Sequence, residues 1–218
     1  MKIYDYIDGA LYINLNYRVD RKERVEQRCA ELQIPVERFD AIQLSLATID
    51  NPYNDPAWHK KMGCTESHFA CIRLAQSRGW KNVWIMEDDV KFSPSFAEQA
   101  PRIINELRSL EWDMFFFGGE PNRKVIPHSD LLVKTNGVYG AHSYLVNHTF
   151  YDKILSTPTT NRLLDIIYLN YNEHDKVFYL SKDLLCLQDG DFESDLWGGK
   201  VNRDDLYDNA YNLYVRGV

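Results

Sequence analysis

Three consecutive carboxylates, Glu87, Asp88 and Asp89, follow directly on the apolar run Val83-Trp84-Ile85-Met86. Like charges this close repel by on the order of a kcal/mol per pair even near the surface, so the stretch calls for a positive partner. Hard oxygen ligands gathered at one point suit Mg²⁺ or Mn²⁺, ions that take one or two carboxylates and fill their shells with water and substrate phosphates. A solvated acidic turn, or the cap of a following helix, accounts for the same residues equally well. A second group, Asn14, Arg18, Asp20, Arg21 and Arg24, follows the apolar run Ala10-Leu11-Tyr12-Ile13. A guanidinium there can hold phosphate through two parallel hydrogen bonds, although an ordinary solvated helix face is the better reading for Arg24. A third group, Cys64, His68 and Cys71, stands at helical spacings of four and three. A zinc set would need a fourth ligand that no spacing supplies, so buried thiols packed on a sheet are the better reading, with His68 fastening a loop or touching substrate. No glycine-rich phosphate loop of either the Rossmann or the Walker pattern occurs.

The elements that must position these groups alternate. The run through Leu15 predicts a strand, Arg18 to Leu32 a helix with Val25, Cys29 and Leu32 on one face, and Val36 to Ile42 a second strand after the break at Pro35. Residues Thr48 to Lys61 carry turn chemistry (Asn51-Pro52, Asp55-Pro56) and read as a long loop of the kind that is often functional. A helix is expected to open at Gly63-Cys64-Thr65, with Thr65 as its N-cap, and to stop at Gly79. Lys81 to Val90 then reads as a strand, Ser93 to about Leu110 as a helix kinked or broken near Pro101, and Trp112 to Phe117 as a strand buried on both faces. Strands are also expected within Thr135–Asn147 and Lys176–Leu187, with a short helix over Phe150–Leu155. This order predicts an α/β sandwich with a largely parallel central sheet. In such a sheet ligands sit outside the carboxyl ends of the strands, where both charged groups fall.

The blocks Leu11-Tyr12-Ile13-Asn14-Leu15 with Arg18 and Asp20-Arg21, then Gly63-Cys64-Thr65-Glu66-Ser67-His68, then Ile85-Met86-Glu87-Asp88-Asp89-Val90 resemble successive blocks of glycosyltransferase family 25. Gly140-Ala141-His142-Ser143-Tyr144-Leu145-Val146, Leu164-Asp165, and Gln188 followed by Ser194-Asp195 extend the likeness in order over nearly the whole chain. Lys61-Met62 stands where that family commonly carries Gly-Glu. The resemblance implies a GT-A-like fold, a UDP-sugar donor, a divalent cation (Mn²⁺ or Mg²⁺) and inversion at the anomeric carbon. It implies a single transferase domain over 1–218, with a donor half to about 120 and an acceptor half from about 121. Carried onto this sequence, it makes Asn14, Leu15, Arg18, Arg21, Ser67, His68, Glu87 and Asp88 donor-binding residues. Asp89, with Glu87 and Asp191, becomes the metal set, and Asp165 the base that takes the acceptor proton, with His142 as the second candidate. Asp195 joins Asp191 as a further acid of the metal or acceptor site. The reaction so implied transfers a hexose, galactose first, to a hydroxyl acceptor on a glycan or another molecule, in a family that includes lipooligosaccharide galactosyltransferases. A nucleotide-sugar or glycan-binding protein without turnover is the alternative.

Composition bounds these readings. The chain has 218 residues, 44% of them hydrophobic, enough to bury a sizeable core. Its formal charge of −7 argues against a protein built to coat nucleic acid. The four cysteines lack framework spacing and no secretory leader shows, which predicts free thiols and a cytoplasmic location. No apolar stretch is long enough to span a membrane, while the aromatic segment Tyr207–Tyr214 leaves a peripheral membrane contact open.

Overall fold

The computed structural model describes residues 5–123, 125–171, 176–195 and 214–215. Strand β1 (Gly9–Asn14) leads through helix α1 (Val19–Glu31) to β2 (Glu37–Asp40), and helix α2 (Trp58–Ser77) leads to β3 (Asn82–Glu87) and β4 (Val90–Phe92). Helix α3 (Phe96–Leu107) precedes β5 (Met114–Phe116), β6 (Glu120–Pro121), β7 (Ile126–Pro127), β8 (Leu132–Thr135), β9 (Val138–Tyr139) and β10 (Ser143–Asn147). A 3-10 turn at His148–Phe150 opens α4 (Tyr151–Leu155), followed by α5 (Leu164–Leu169), β11 (Phe178–Ser181) and β12 (Cys186–Gln188). The segment Tyr207–Tyr214 lies, apart from Tyr214, outside the described residues.

One eight-stranded sheet runs in the order β2-β1-β3-β10-β5-β11-β8-β7. β2, β1 and β3 are parallel to one another, as are β5 and β11. β10 enters antiparallel between β3 and β5, and β8 runs against both β11 and β7. The sheet is therefore mixed around parallel core strands. The chain reaches β10 through short strands and turns instead of a crossover helix, and only a parallel neighbour requires such a crossover.

Helices cover both faces, which explains the unbroken apolar run in β3. Val83 and Ile85 pack with Phe69, Ile72 and Ala75 of α2, and with residues of α4 and α5. Trp84 and Met86 point the other way, onto Val25 and Cys29 of α1 and Phe96, Ala100, Ile103 and Ile104 of α3. Alternation with period two thus feeds two apolar layers, each fully buried large side chain contributing about 1.5–3 kcal/mol.

Two helices differ from their expected outlines. α2 begins at Trp58, without a side-chain cap, and Thr65 lies buried in its interior, its hydroxyl within reach of the Lys61 and Arg162 carbonyls at 3.3 and 3.2 Å and able to donate to either. The turn residues before it end the loop sooner than their composition suggests, because Lys61 reaches back to Asp55 at 2.7 Å and pins the first turn. α3 runs through Pro101 without a break. Its missing amide forgoes one hydrogen bond, which the buried stripe Phe96, Ala100, Ile103, Ile104 and Leu107 offsets.

Candidate active site

β1 and β3 are neighbours, yet the chain leaves β1 for a helix on one face and reaches β3 from a helix on the other. Their carboxyl ends therefore open into a crevice. A cavity of about 260 Å³ fills it, and Leu15, Arg21, Ser67, His68, Glu87, Asp88 and Asp89 all line its wall. A wider cavity of about 740 Å³ adjoins it, lined by Arg18, Asp20 and Asp191 and sharing Lys60, Ser194 and Asp195 with the first.

The three acids play different parts. Asp88 is buried and receives Arg21 on one oxygen and the Asn14 side-chain amide on the other, each at 2.8 Å. Burial pushes its pKa up against the pull of these two partners. Arg21, itself buried, also stands 3.4 Å from Asp89 Oδ2 and donates to the Glu193 carbonyl at 2.8 Å. Glu87 closes β3 and faces the cavity, with Gln188 at 3.4 Å from Oε2. Asn14 is engaged on all sides: it donates to Asp88 and the Arg18 carbonyl and accepts from Arg38 at 2.9 Å. It braces the acidic turn and is not among the cavity-lining residues.

Helix α2 supplies the opposite wall. Ser67 Oγ donates to the Gly63 carbonyl at 2.7 Å and accepts the Ile42 amide at 2.8 Å, which seats the 41–44 loop on the helix. A Cβ at Gly63 would lie 2.5 Å from the Ile42 carbonyl oxygen. Gly63→Ala is therefore expected to push this loop into the cavity and to cost about 1–3 kcal/mol, read as a lower midpoint of thermal unfolding. His68 is buried, with Nδ1 2.8 Å from Tyr144 Oη and Nε2 3.4 Å from Glu87 Oε1.

Asp165 stands in the first turn of α5, where Oδ1 accepts the Ile166 amide at 2.8 Å. Burial raises its pKa above the usual carboxylate value, the amides of Ile166 and Gly140 pull it down, and the charge of Glu87 adds to the rise. It acts electrostatically on both Glu87 and Cys64 from outside the cavity lining. His142 is fully buried, with Nδ1 2.7 Å from the Gly140 carbonyl and Nε2 3.0 Å from the Cys186 carbonyl. It ties the approach to β10 onto β12. Asp191 faces the outer cavity, so Asp89, Glu87 and Asp191 do not gather as one tight ligand set. The reason is the turn after β12, in which Asp189 accepts the Asp191 amide at 3.1 Å and carries that residue outward.

That turn begins a strap across α1. Asp189 pairs with Arg28 and lies 3.6 Å from Arg24, while Asp195 pairs with Arg18. The Phe192 ring lies under the guanidinium groups of Arg18, Arg21 and Arg24 at 5.8, 5.3 and 5.3 Å. Cation–π contacts of this kind contribute roughly 0.5–1 kcal/mol each. The sequence reading passed over Tyr17, His59, Lys60 and the Ile42–Leu44 loop, all of which line the inner cavity. For His59 and Lys60 a signal was present in the functional character of long loops; nothing marked the other residues.

The model of glycosyltransferase family 25, described as an LPS biosynthesis protein, matches residues 8–135. The chain belongs to this family. Among relatives, a glycosyltransferase 25 family member of Drosophila melanogaster is 28% identical over 180 residues, covering 73% of this chain and 29% of the relative. Procollagen galactosyltransferase 2 of Mus musculus is 25% identical over 207 residues, covering 81% of this chain and 33% of the relative. The chain thus spans about a third of the length of these relatives. Solved structures similar to it include a UDP-glucose pyrophosphorylase complexed with UDP-glucose (8% identity, TM-score 0.47, 96% of this chain and 82% of that one). Another is a glycosyltransferase involved in glycosylation of the major capsid of PBCV-1 (9% identity, TM-score 0.38, 67% and 62% covered). No helix among the described residues is long and apolar enough to cross a membrane.

Proposed function

We propose that this family 25 chain transfers a hexose, galactose first, from a UDP-sugar to a hydroxyl acceptor, with inversion at the anomeric carbon. The observation that carries the reading is the crevice at the carboxyl ends of β1 and β3, where Glu87, Asp89 and Arg21 meet the α2 wall. Relatives named as galactosyltransferases support the choice of sugar. The family description and these names make a lipopolysaccharide glycan and a procollagen-type hydroxyl the first acceptors to try. A cytoplasmic, reducing setting belongs to the same reading and is supported by four free thiols.

A hard cation fits the residues present. Asp88 is occupied by Arg21 and Asn14, whereas Glu87 and Asp89 present carboxylates on the cavity wall, the one or two oxygen donors such an ion takes from protein. Bound there, Mn²⁺ or Mg²⁺ would neutralise charge growing on the leaving diphosphate. Arg18, Arg21 and Lys60 add positive charge between the two cavities. The acceptor oxygen forms the new bond to the anomeric carbon as the bond to UDP breaks, and the electron pair leaves on the diphosphate. On this reading Asp165 takes the acceptor proton, which requires the acceptor to reach past the lining of the inner cavity to it; a carboxylate with a raised pKa performs that task better than an ordinary one. Product analysis by NMR after incubation with α-linked UDP-galactose and a glycan acceptor is expected to show a β linkage. An α-linked product would remove the inverting mechanism.

A further inference from the structure

Cys64 and His68 lie one helical turn apart on α2 and face Glu87 across the inner cavity. Their ligand atoms and a Glu87 oxygen all fall within 4.8 Å of one another, the one group of this kind among the described residues. Cys64 Sγ is 4.0 Å and His68 Nε2 is 3.4 Å from Glu87 Oε1. A tetrahedral zinc ion with bonds of about 2.0–2.3 Å holds its ligands about 3.3–3.8 Å apart, so small side-chain adjustments complete the geometry.

His68 Nε2 supplies the second observation. The side chain is 1% exposed, and this nitrogen makes no hydrogen bond despite its nearness to Glu87. A buried polar atom left in this condition is destabilising, and a ligand would relieve it. The other nitrogen, Nδ1, is 2.8 Å from Tyr144 Oη, which in turn is 3.1 Å from Tyr168 Oη. When Tyr144 donates to Tyr168, Nδ1 donates to Tyr144 and the lone pair of Nε2 points at the thiol and carboxylate. That is the arrangement by which a supporting oxygen fixes a metal-binding imidazole.

We infer that Cys64, His68 and Glu87 form a binding site for a thiophilic divalent ion of the Zn²⁺ type, with a fourth position open to the cavity. Sulfur and imidazole nitrogen favour such an ion over Mg²⁺ or Mn²⁺, so the site differs in ligand chemistry from the oxygen donors at Asp89. It shares Glu87 with them, which makes the two ions competitors for one carboxylate. The inference stands apart from sugar transfer, because it concerns ion binding alone.

Co²⁺ titration of the reduced, metal-free chain tests it without any donor or acceptor. One Co²⁺ per chain is expected, with a thiolate-to-cobalt absorption band that Zn²⁺ discharges and Mg²⁺ at the same concentration leaves in place. Cys64→Ser should abolish the band and Cys71→Ser should keep it. Tyr144→Phe should weaken binding about 10–100-fold, the usual effect of losing an outer partner of a ligating histidine. Should Cys64→Ser lose its fold, His68→Asn and Tyr144→Phe decide the matter by the same titration. Absence of saturable uptake, a band that survives Cys64→Ser, or affinity untouched by both His68→Asn and Tyr144→Phe would overturn the inference.

Discussion

Asp165→Asn is expected to lower sugar transfer by about 10²–10⁴-fold, the usual contribution of a positioned base, while UDP affinity changes little. Asparagine matches aspartate in size and can still accept the Ile166 amide, so the start of α5 should persist. The wild-type rate should fall as pH drops through the raised pKa of Asp165, because only the carboxylate accepts a proton. That fall should come at a higher pH than an ordinary aspartate would give. Stability has the opposite sign. A folded-state pKa above the unfolded value means that the native chain binds the proton more tightly, so this group's contribution falls as pH rises through the window between the two. Asp165→Asn should therefore be no less stable than the wild type at neutral pH. Stopped-flow or steady-state transfer rates across pH, with UDP titration alongside, separate these effects. Loss of UDP binding in the variant would place Asp165 in the donor site instead.

The second large effect is on the fold. Arg21→Ala leaves Asp88 buried without its guanidinium partner and removes the link to Asp89 and to the Glu193 carbonyl. Breaking one side of a buried ion pair costs about 3–5 kcal/mol. At roughly 2–4 °C per kcal/mol for a domain of this size, the thermal midpoint should drop by about 6–20 °C. The double variant Arg21→Met with Asp88→Leu should recover much of that loss, since it removes both charges together. Thermal unfolding of the single and double variants checks this. Equal losses in both would show that the ion pair is not what holds the turn.

The fold was legible where periodicity was enforced by burial. Val83 to Met86 read as a strand because both its faces are covered, and α3 read as a helix from its apolar stripe, although the break expected near Pro101 does not occur. The start of α2 was hidden: no side chain caps it, and the Asp55–Lys61 pair that pins its first turn is indistinguishable in sequence from a solvated loop charge. The antiparallel entry of β10 was hidden for a different reason, since strand neighbours far apart in the chain leave no local signal.

The acidic turn followed from its place at a strand end, and family resemblance supplied most of the remaining candidate residues. Neither source could show that Asn14 is held by Asp88, Arg18 and Arg38, or that both ring nitrogens of His142 face carbonyl oxygens. Such engagements depend on burial and on partners remote in sequence. The Cys64–His68 pair was readable as spacing, but Glu87 as the third member was not, because it arrives from another element.

The most direct test of the central claim is UDP release from a panel of UDP-sugars, with and without Mn²⁺, by the wild type and by Asp89→Ala. The predicted result is release from one UDP-hexose, galactose first, that needs the ion and collapses in the variant. Metal-independent release that is unchanged by Asp89→Ala would contradict the account.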